Sequence, residues 1–465
     1  MAADNNVFHS WRVVQAIDPI IFQYWLALSK ITYEVEDGMK KRLAMAVFFG
    51  LAVSISAFAE EEKAPDWNAE TLSGNWGGSR SSLYDKGVTV ELTHKSDMLA
   101  NTSGGVSRGS VWLANSEIAL NMDLGKLAGW DATTAFVQYH VQHGNKSINN
   151  YVGSFAGVDN IETGTSTGQF YQAWLQKNSA DDSLSVLAGL YAIDSEFYVT
   201  DTSGLFLQPP YGMSAEMAPT GQNGPPVFPM GALALRVKYA SSGYYVQGAL
   251  TDGVPGNLNN SQGTHIRLDN GDGTLAVVEL GYNTSEEGKS FNKTAVGLWR
   301  YSARTDDLVD VDILGNLVRR RDQGFYVLAE RTLRAEQNNP AQGLSGFVRF
   351  GTASKDIDRG LADSAPTVDW SGSLGLHYQG LFDGRDDDTA GIAVTTSHAS
   401  SKYRDAQLAL GNVFESSETV VEITYRAQLQ PWLAMQPMVQ RIFNPNMDAT
   451  LRDAWVAGVR FEVAF

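Results

Sequence analysis

From Val88 onward the chain reads in twos. Val88, Val90 and Leu92 alternate with Thr89, Glu91, Thr93 and Lys95, and Ala135, Val137, Tyr139 and Val141 alternate with Thr134, Phe136, Gln138, His140 and Gln142. The pattern returns with Tyr171, Ala173 and Leu175 against Gln172, Trp174 and Gln176, and with Leu233, Leu235, Val237 and Tyr239 against Ala234, Arg236 and Lys238. It persists through Val421, Ile423, Tyr425, Ala427 and Leu429 against Glu422, Thr424, Arg426 and Gln428. The last run places Trp455, Ala457, Val459, Phe461, Val463 and Phe465 on one face, with Arg460 and Glu462 on the other. A period of two marks strands with one apolar face. Roughly sixteen such runs fit, at about 24 residues for each strand with its connection.

The connections alternate as well. Short ones fall near 123–131, 178–183, 240–243, 282–293, 332–342, 381–388 and 430–432. Longer ones fall near 99–110, 144–168, 192–231, 252–273, 302–322, 351–370, 398–417 and 441–450. Tight turns at one end, longer loops at the other and an even strand number predict an all-β fold. Its form is a transmembrane antiparallel up-and-down β-barrel over 88–465, apolar face toward lipid and polar face toward the lumen. The polar faces carry Glu, Lys, Gln, His, Arg and Trp in mid-strand, as a wet lumen requires.

Upstream the signals differ. Ser79 to Lys86 is helix-compatible and Gly87 sits where a glycine would end the helix, so residues 60–87 form an N-terminal periplasmic segment with a short helix. Residues 39–59 read as a secretory signal: Lys40, Lys41 and Arg42 are basic, Leu43 to Ile55 apolar, and Ala57-Phe58-Ala59 a cleavage site. A basic start belongs near the N-terminus, so residues 1–38 read as an over-extended start and not as structure. The expected location is the outer membrane, after cleavage near Ala59.

Composition narrows the function. The chain has 465 residues, 35 Lys+Arg against 52 Asp+Glu for a net charge of −17, 45 Gly, 49 aromatics (11 Trp, 18 Tyr, 20 Phe) and no Cys. No Cys means no disulfide scaffold, thiolate metal site or Cys nucleophile. A strongly acidic chain without a basic stripe argues against nucleic acid. Few motifs carry chemistry. Gly164-Thr-Ser-Thr-Gly168 fits the serine-hydrolase pattern, but a strand follows it where the elbow needs a helix. His140 and His143 lie three apart on a strand and so face opposite ways. The acidic runs 269–273 and 383–388 lack the terminal Glu of a calcium loop. Arg319-Arg320-Arg321 is suited to anions or lipid phosphates. No catalytic residue, cofactor or metal site is expected.

Longer strings carry a resemblance. LSGNWGGSRSSLYDKGVTVEL, YQAWLQ, LAGLYAIDSEFYVTDTSGLFLQPPYGMS and VVEITYRAQLQPWLAMQPMVQRIFNPN resemble the carbohydrate-selective porin family, the OprB type, from about Leu72 to Phe465. The resemblance implies a sixteen-stranded outer-membrane channel that passes mono- and small oligosaccharides by diffusion, without a cofactor. Porins for organic acids or amino acids, or a β-rich enzyme acting on polysaccharide, are the alternatives. By likeness to general porins, the third external loop, 192–231, folds into the lumen. Its Asp194, Glu196 and Asp201 then face Arg236, Lys238, Arg349 and Arg426, while Glu117, Gln138, His140, Gln172 and Trp174 offer hydrogen bonds and an aromatic face to a sugar. Expected partners are small sugars, outer-membrane lipid and lipopolysaccharide, and the barrel-assembly machinery through Phe465. Whether three barrels associate as a homotrimer stays open.

Overall fold

The computed structural model describes residues 64–144, 146–284, 291–337, 339, 342–358 and 366–465. The readings of residues 1–38 and 39–59 lie outside the described residues. The strands are β1 (Val88–Gly105), β2 (Gly109–Asp123), β3 (Thr133–Gly144), β4 (Gly168–Asn178), β5 (Leu184–Tyr191), β6 (Ala232–Ser241), β7 (Tyr244–Asp252), β8 (Thr274–Asn283) and β9 (Asn292–Tyr301). They continue with β10 (Thr305–Val311), β11 (Leu317–Arg320), β12 (Gln323–Ala335), β13 (Gly343–Thr352), β14 (Val368–Gln379), β15 (Thr389–Ala399), β16 (Ser417–Gln430), β17 (Leu433–Phe443) and β18 (Arg452–Ala464). Sixteen of them pair antiparallel in chain order, and β1 pairs with β18, with Thr93 opposite Ala464 and Asp97 opposite Arg460, to close the barrel. The remaining two, β10 and β11, form a separate hairpin within the long connection 302–322.

Local chemistry explains the turns. The β6–β7 link is two residues, Ser242 at φ 52° and Gly243 at φ 83°, and two successive positive values give the tight hairpin whose twist matches that of the strands. The helix Ser79–Asp85 ends as expected, with Gly87 in the left-handed region at φ 89°. One connection departs from expectation. Residues 99–110 read as a loop, yet β1 runs to Gly105 and β2 begins at Gly109. The polar stretch stays extended because register shifts at Ser103 absorb its irregularity. The Asn101 amide also donates to the carbonyls of Gly104 at 2.9 Å and Ser107 at 2.8 Å.

Parity holds almost throughout: Ile423, Val439 and Trp455 are exposed on the outer wall, while Glu422, Gln440 and Val456 are buried inside. It breaks inside β4. The β3–β4 pairing steps from Gln138↔Gln172 to Tyr139↔Phe170, so Tyr171 is an extra residue in a bulge. Tyr171 therefore turns inward with Gln172, and the outward position passes to Phe170, 46% exposed. No helix among the described residues is long and apolar enough to cross a membrane; a barrel crosses with its strands.

Candidate constriction

Residues 192–231 lie between β5 and β6, and the base of this loop is tied by the Ile193 amide donating to the Pro226 carbonyl at 2.8 Å. The loop then packs along the inner wall on an apolar bed. Phe197, Tyr198, Met213 and Met217 bury themselves against Leu187, Val277, Trp299, Tyr326 and Leu328. Small residues let the loop come close: a Cβ on Gly351 would strike the Glu216 carboxylate and the Tyr198 hydroxyl, and one on Gly391 would strike Leu205 and Phe206.

Wall side chains satisfy the backbone groups that such an irregular segment would otherwise bury unpaired. Glu279 on β8 accepts from the Tyr198 amide at 3.0 Å, and Glu330 on β12 from the Asp201 and Thr202 amides at 2.9 and 2.8 Å. Glu422 on β16 accepts from the Leu207 and Gln208 amides at 2.8 and 3.0 Å. Arg349 on β13 does the converse, donating to the carbonyls of Pro210, Tyr211, Tyr198 and Gly212. The second long loop is held similarly: Glu418 accepts from the Phe155 and Ala156 amides at 2.8 and 2.9 Å. At the β1–β18 seam Arg460 grips Asp97 at 2.6 Å, Asp159 at 3.2 Å and Asn160 at 2.7 Å.

On the wall from β2 to β6 the polar side chains join laterally. Glu117 accepts from Gln138 at 3.1 Å, Gln138 from Gln172 at 3.2 Å, and Gln172 from the Trp174 indole at 3.2 Å. Trp174 stacks on Phe136 with centroids 5.1 Å apart. Next to them Glu196 of the loop takes Arg236 at 2.7 Å and Lys238 at 3.8 Å, and Arg236 also reaches Gln176 at 2.6 Å. Around the seam Arg426 pairs with Glu462 at 3.0 Å, and Lys95 approaches the same carboxylate at 4.0 Å. These groups, Arg236 and Gln172 excepted, are half-buried and hold their hydrogen-bond partners while keeping a free edge.

Other expected positions serve differently. His140 is fully buried, stacked on Tyr171 at 5.4 Å and covered edge-on by Phe228 of the loop, so it offers nothing to a solute. Arg349 is 1% exposed and clamps the loop backbone; it is no part of a basic wall facing the pore. Asp194 is spent on the Tyr171 hydroxyl at 2.7 Å and the Phe228 amide at 2.9 Å, and burial pushes its carboxyl above its ordinary value. Asp201 is exposed and is anchored through its backbone, the amide donating to Glu330 and the carbonyl accepting from the Gly204 amide at 3.1 Å. The structure adds Phe136, Tyr171, Glu279, Glu330 and Glu422. Parity already placed Phe136 and Glu422 on the polar faces, but only tertiary contact reveals what they touch.

A profile described as "Carbohydrate-selective porin, OprB family" matches residues 113–465. Porin B of Pseudomonas aeruginosa is 25% identical over 448 residues, covering 89% of this chain and 95% of that protein. A putative porin, QuiX, of Acinetobacter baylyi is 24% identical, covering 85% and 93%. The high-pH structure of Pseudomonas putida OprB superposes with a TM-score of 0.76 at 22% identity, covering 87% of this chain and all of that one. With a closed sixteen-strand barrel and a profile match over most of its length, the chain belongs to the carbohydrate-selective porin family.

Proposed function

We propose that mono- and small oligosaccharides diffuse through this outer-membrane barrel along the polar side chains of β2 to β6, beside loop 192–231. The observation that carries the reading is the lateral chain Glu117–Gln138–Gln172–Trp174 with Phe136 stacked beneath it. A pyranose has equatorial hydroxyls that both donate and accept, and an apolar C–H face. Carboxylates and amides serve the first and an aromatic plane the second, while weak, repeated contacts let the solute leave again. Lys238 and Glu196 on one side, with Glu196 held by the buried Arg236, and Arg426 with Glu462 on the other, order water and hydroxyls across the passage. Passive diffusion asks for no catalytic group.

Liposome swelling with a sugar series tests this. Glucose-sized and disaccharide solutes are expected to enter faster than amino acids or organic acids of equal size, and Trp174→Ala to lower the sugar preference several-fold. Equal rates for all solutes of one size would mean a general porin. Release of reducing ends from added polysaccharide would favour an enzyme. Phe465 ends the outward row of the last strand, and its removal is expected to lower the amount of assembled barrel if the assembly machinery reads it.

A further inference from the structure

The basic run 319–321 takes no part in the lumen. In the structure it splits by parity. Arg320 turns to the loop side, where Asp307 accepts from it and Asp310 pairs at 2.8 Å. Lys402 of the helix Ser401–Ala409 completes that network at 2.6 Å from Asp307. Arg319 lies on the other face of that hairpin, opposite Asp306, and Arg321 stands two residues before Gln323, which heads the exposed column of β12 with Phe325. Arg300 belongs to the same surface: it follows Leu298 on the exposed column of β9 and lies opposite Gln323. The Arg321 Nε donates to the Ser302 carbonyl at 3.0 Å and Arg319 to the Arg304 backbone carbonyl, so residues 300, 304, 319 and 321 share one stretch of rim, where Arg300 and Arg304 are exposed. Only Arg319 has a carboxylate, Asp306 at 3.5 Å; among the described residues Arg300, Arg304 and Arg321 have none.

Height in the membrane says what these groups face. Phe325, Phe350 and Trp370 on β12, β13 and β14 form a continuous aromatic row, with centroids 6.3 and 6.0 Å apart. Such a row marks the boundary between hydrocarbon and headgroups. Below it Leu298 and Val327 are exposed to lipid, 59% and 42%. Gln323 and Arg321 stand two and four residues above Phe325, about 6 to 13 Å along a strand, at the depth of lipid phosphates. A chain of net charge −17 concentrates unpaired arginines here, on the long-loop side, which faces the outer leaflet.

We infer that Arg300, Arg304 and Arg321, with Arg319 beside them, form a binding site for the phosphate groups of a phosphorylated glycolipid of the outer leaflet. The acyl chains would lie along the apolar column beneath. Forked guanidiniums suit phosphate, and their exposed setting makes the contact reversible and salt-sensitive.

The test titrates the folded protein, in phosphatidylcholine nanodiscs, with bis-phosphorylated lipid A and with its dephosphorylated form, reading bound lipid by native mass spectrometry. The phosphorylated lipid is expected to bind, more weakly as salt rises. The Arg300→Gln/Arg304→Gln/Arg321→Gln variant should lose about a hundredfold in affinity, to the level of the dephosphorylated lipid, with sugar swelling unchanged. Equal affinity for the two lipids, or an unweakened variant, would overturn the assignment. Displacement of lipid A by inorganic phosphate at comparable concentration would do so too, because the site would then take the free ion. If the Gln variant fails to show heat-modifiable migration, the corresponding triple Lys variant decides: it keeps the charge and should keep most of the affinity, and loss of lipid A binding by a folded Lys variant would count against the site.

Discussion

Arg460 holds two carboxylates, one from its own wall and one from a loop. Asp97 is bound through both oxygens at 2.6 to 3.1 Å, whereas Asp159 has one contact at 3.2 Å and a second oxygen, Oδ2, without a partner. Burial, then the neighbouring Asp97 charge, pushes the Asp159 carboxyl well above its ordinary value; Arg460 offsets only part of this. A carboxyl whose folded value is raised contributes stability at low pH and loses it as pH rises from its unfolded value, about 4, toward the folded one. Asp159→Asn is therefore expected to raise the temperature at which the barrel loses heat-modifiable migration at pH 8, with little change at pH 4. Asp97→Asn breaks the bidentate pair and is expected to cost about 3–5 kcal/mol. A variant pair with equal, pH-independent effects would contradict this division of labour. A second residue-scale contrast runs across the wall of β16. Ile423, 56% exposed toward lipid, should lose about 2–4 kcal/mol on conversion to Arg, read by denaturant unfolding in detergent. Thr424 points inward, yet it is 3% exposed and hydrogen-bonded to Gln436 and the Pro437 carbonyl, so Thr424→Arg should be as damaging. Glu91, exposed and in step with lumen-facing Lys95 on β1, is the tolerant control.

An element's direction was legible from alternation, its accessibility was not. Sixteen strands, the order of short and long connections and the bounds 192–231 follow from the chain because each is a local matter of period and turn chemistry. Tyr171 shows where that logic stops: a bulge inserts one residue and inverts the parity beyond it, with no mark in composition. His140, Arg349 and Thr424 were assigned to the right face, but a loop distant in sequence covers them, and hydrophobic periodicity carries no such information. The wall glutamates went unassigned for the same reason, since a Glu on a polar face looks alike whether it meets water or a backbone amide. Their part in the loop is testable. Glu422→Ala leaves two buried amides unpaired and Glu330→Ala one buried and one part-buried, a loss of about 2–4 kcal/mol from the docked loop. The double variant is expected to raise single-channel conductance and blunt discrimination between mono- and disaccharides while the barrel still migrates as folded. Deleting residues 213–226, which include the buried Met217 and Glu216, should act the same way and more strongly. Conductance and preference that match the parent in both variants would place the narrowest point elsewhere.

At the scale of the molecule, a barrel has no edge only if its first and last strands meet, and here a separate segment reinforces the meeting. The Leu72 amide donates to the Ala464 carbonyl at 2.9 Å and the Phe465 amide to the Leu92 carbonyl at 2.8 Å. Between them stands Arg80, 2% exposed, on the helix Ser79–Asp85. Its guanidinium lies between the rings of Trp67 and Trp76, at 4.7 and 4.3 Å. It donates to the Phe465 backbone oxygen at 2.5 Å, to Val90 at 3.2 Å, to Gly74 at 3.2 Å and to the Thr71 hydroxyl at 2.8 Å. One side chain thus joins the N-terminal segment, the first strand and the end of the last. Two indole faces and four acceptors suit a planar cation far better than an ammonium, so Arg80→Lys should recover little of what Arg80→Ala loses. Losing a charged donor to several buried acceptors is expected to cost about 3 kcal/mol or more. In thermal unfolding of the detergent-solubilised protein, both variants should lose heat-modifiable migration several degrees below the parent. Ion conductance and sugar preference of channels that do assemble should be unchanged, because the segment joins the wall at the end opposite the long loops. If Arg80→Ala instead altered sugar preference while keeping the parent's thermal midpoint, the N-terminal segment would be part of the passage and not a brace for the seam.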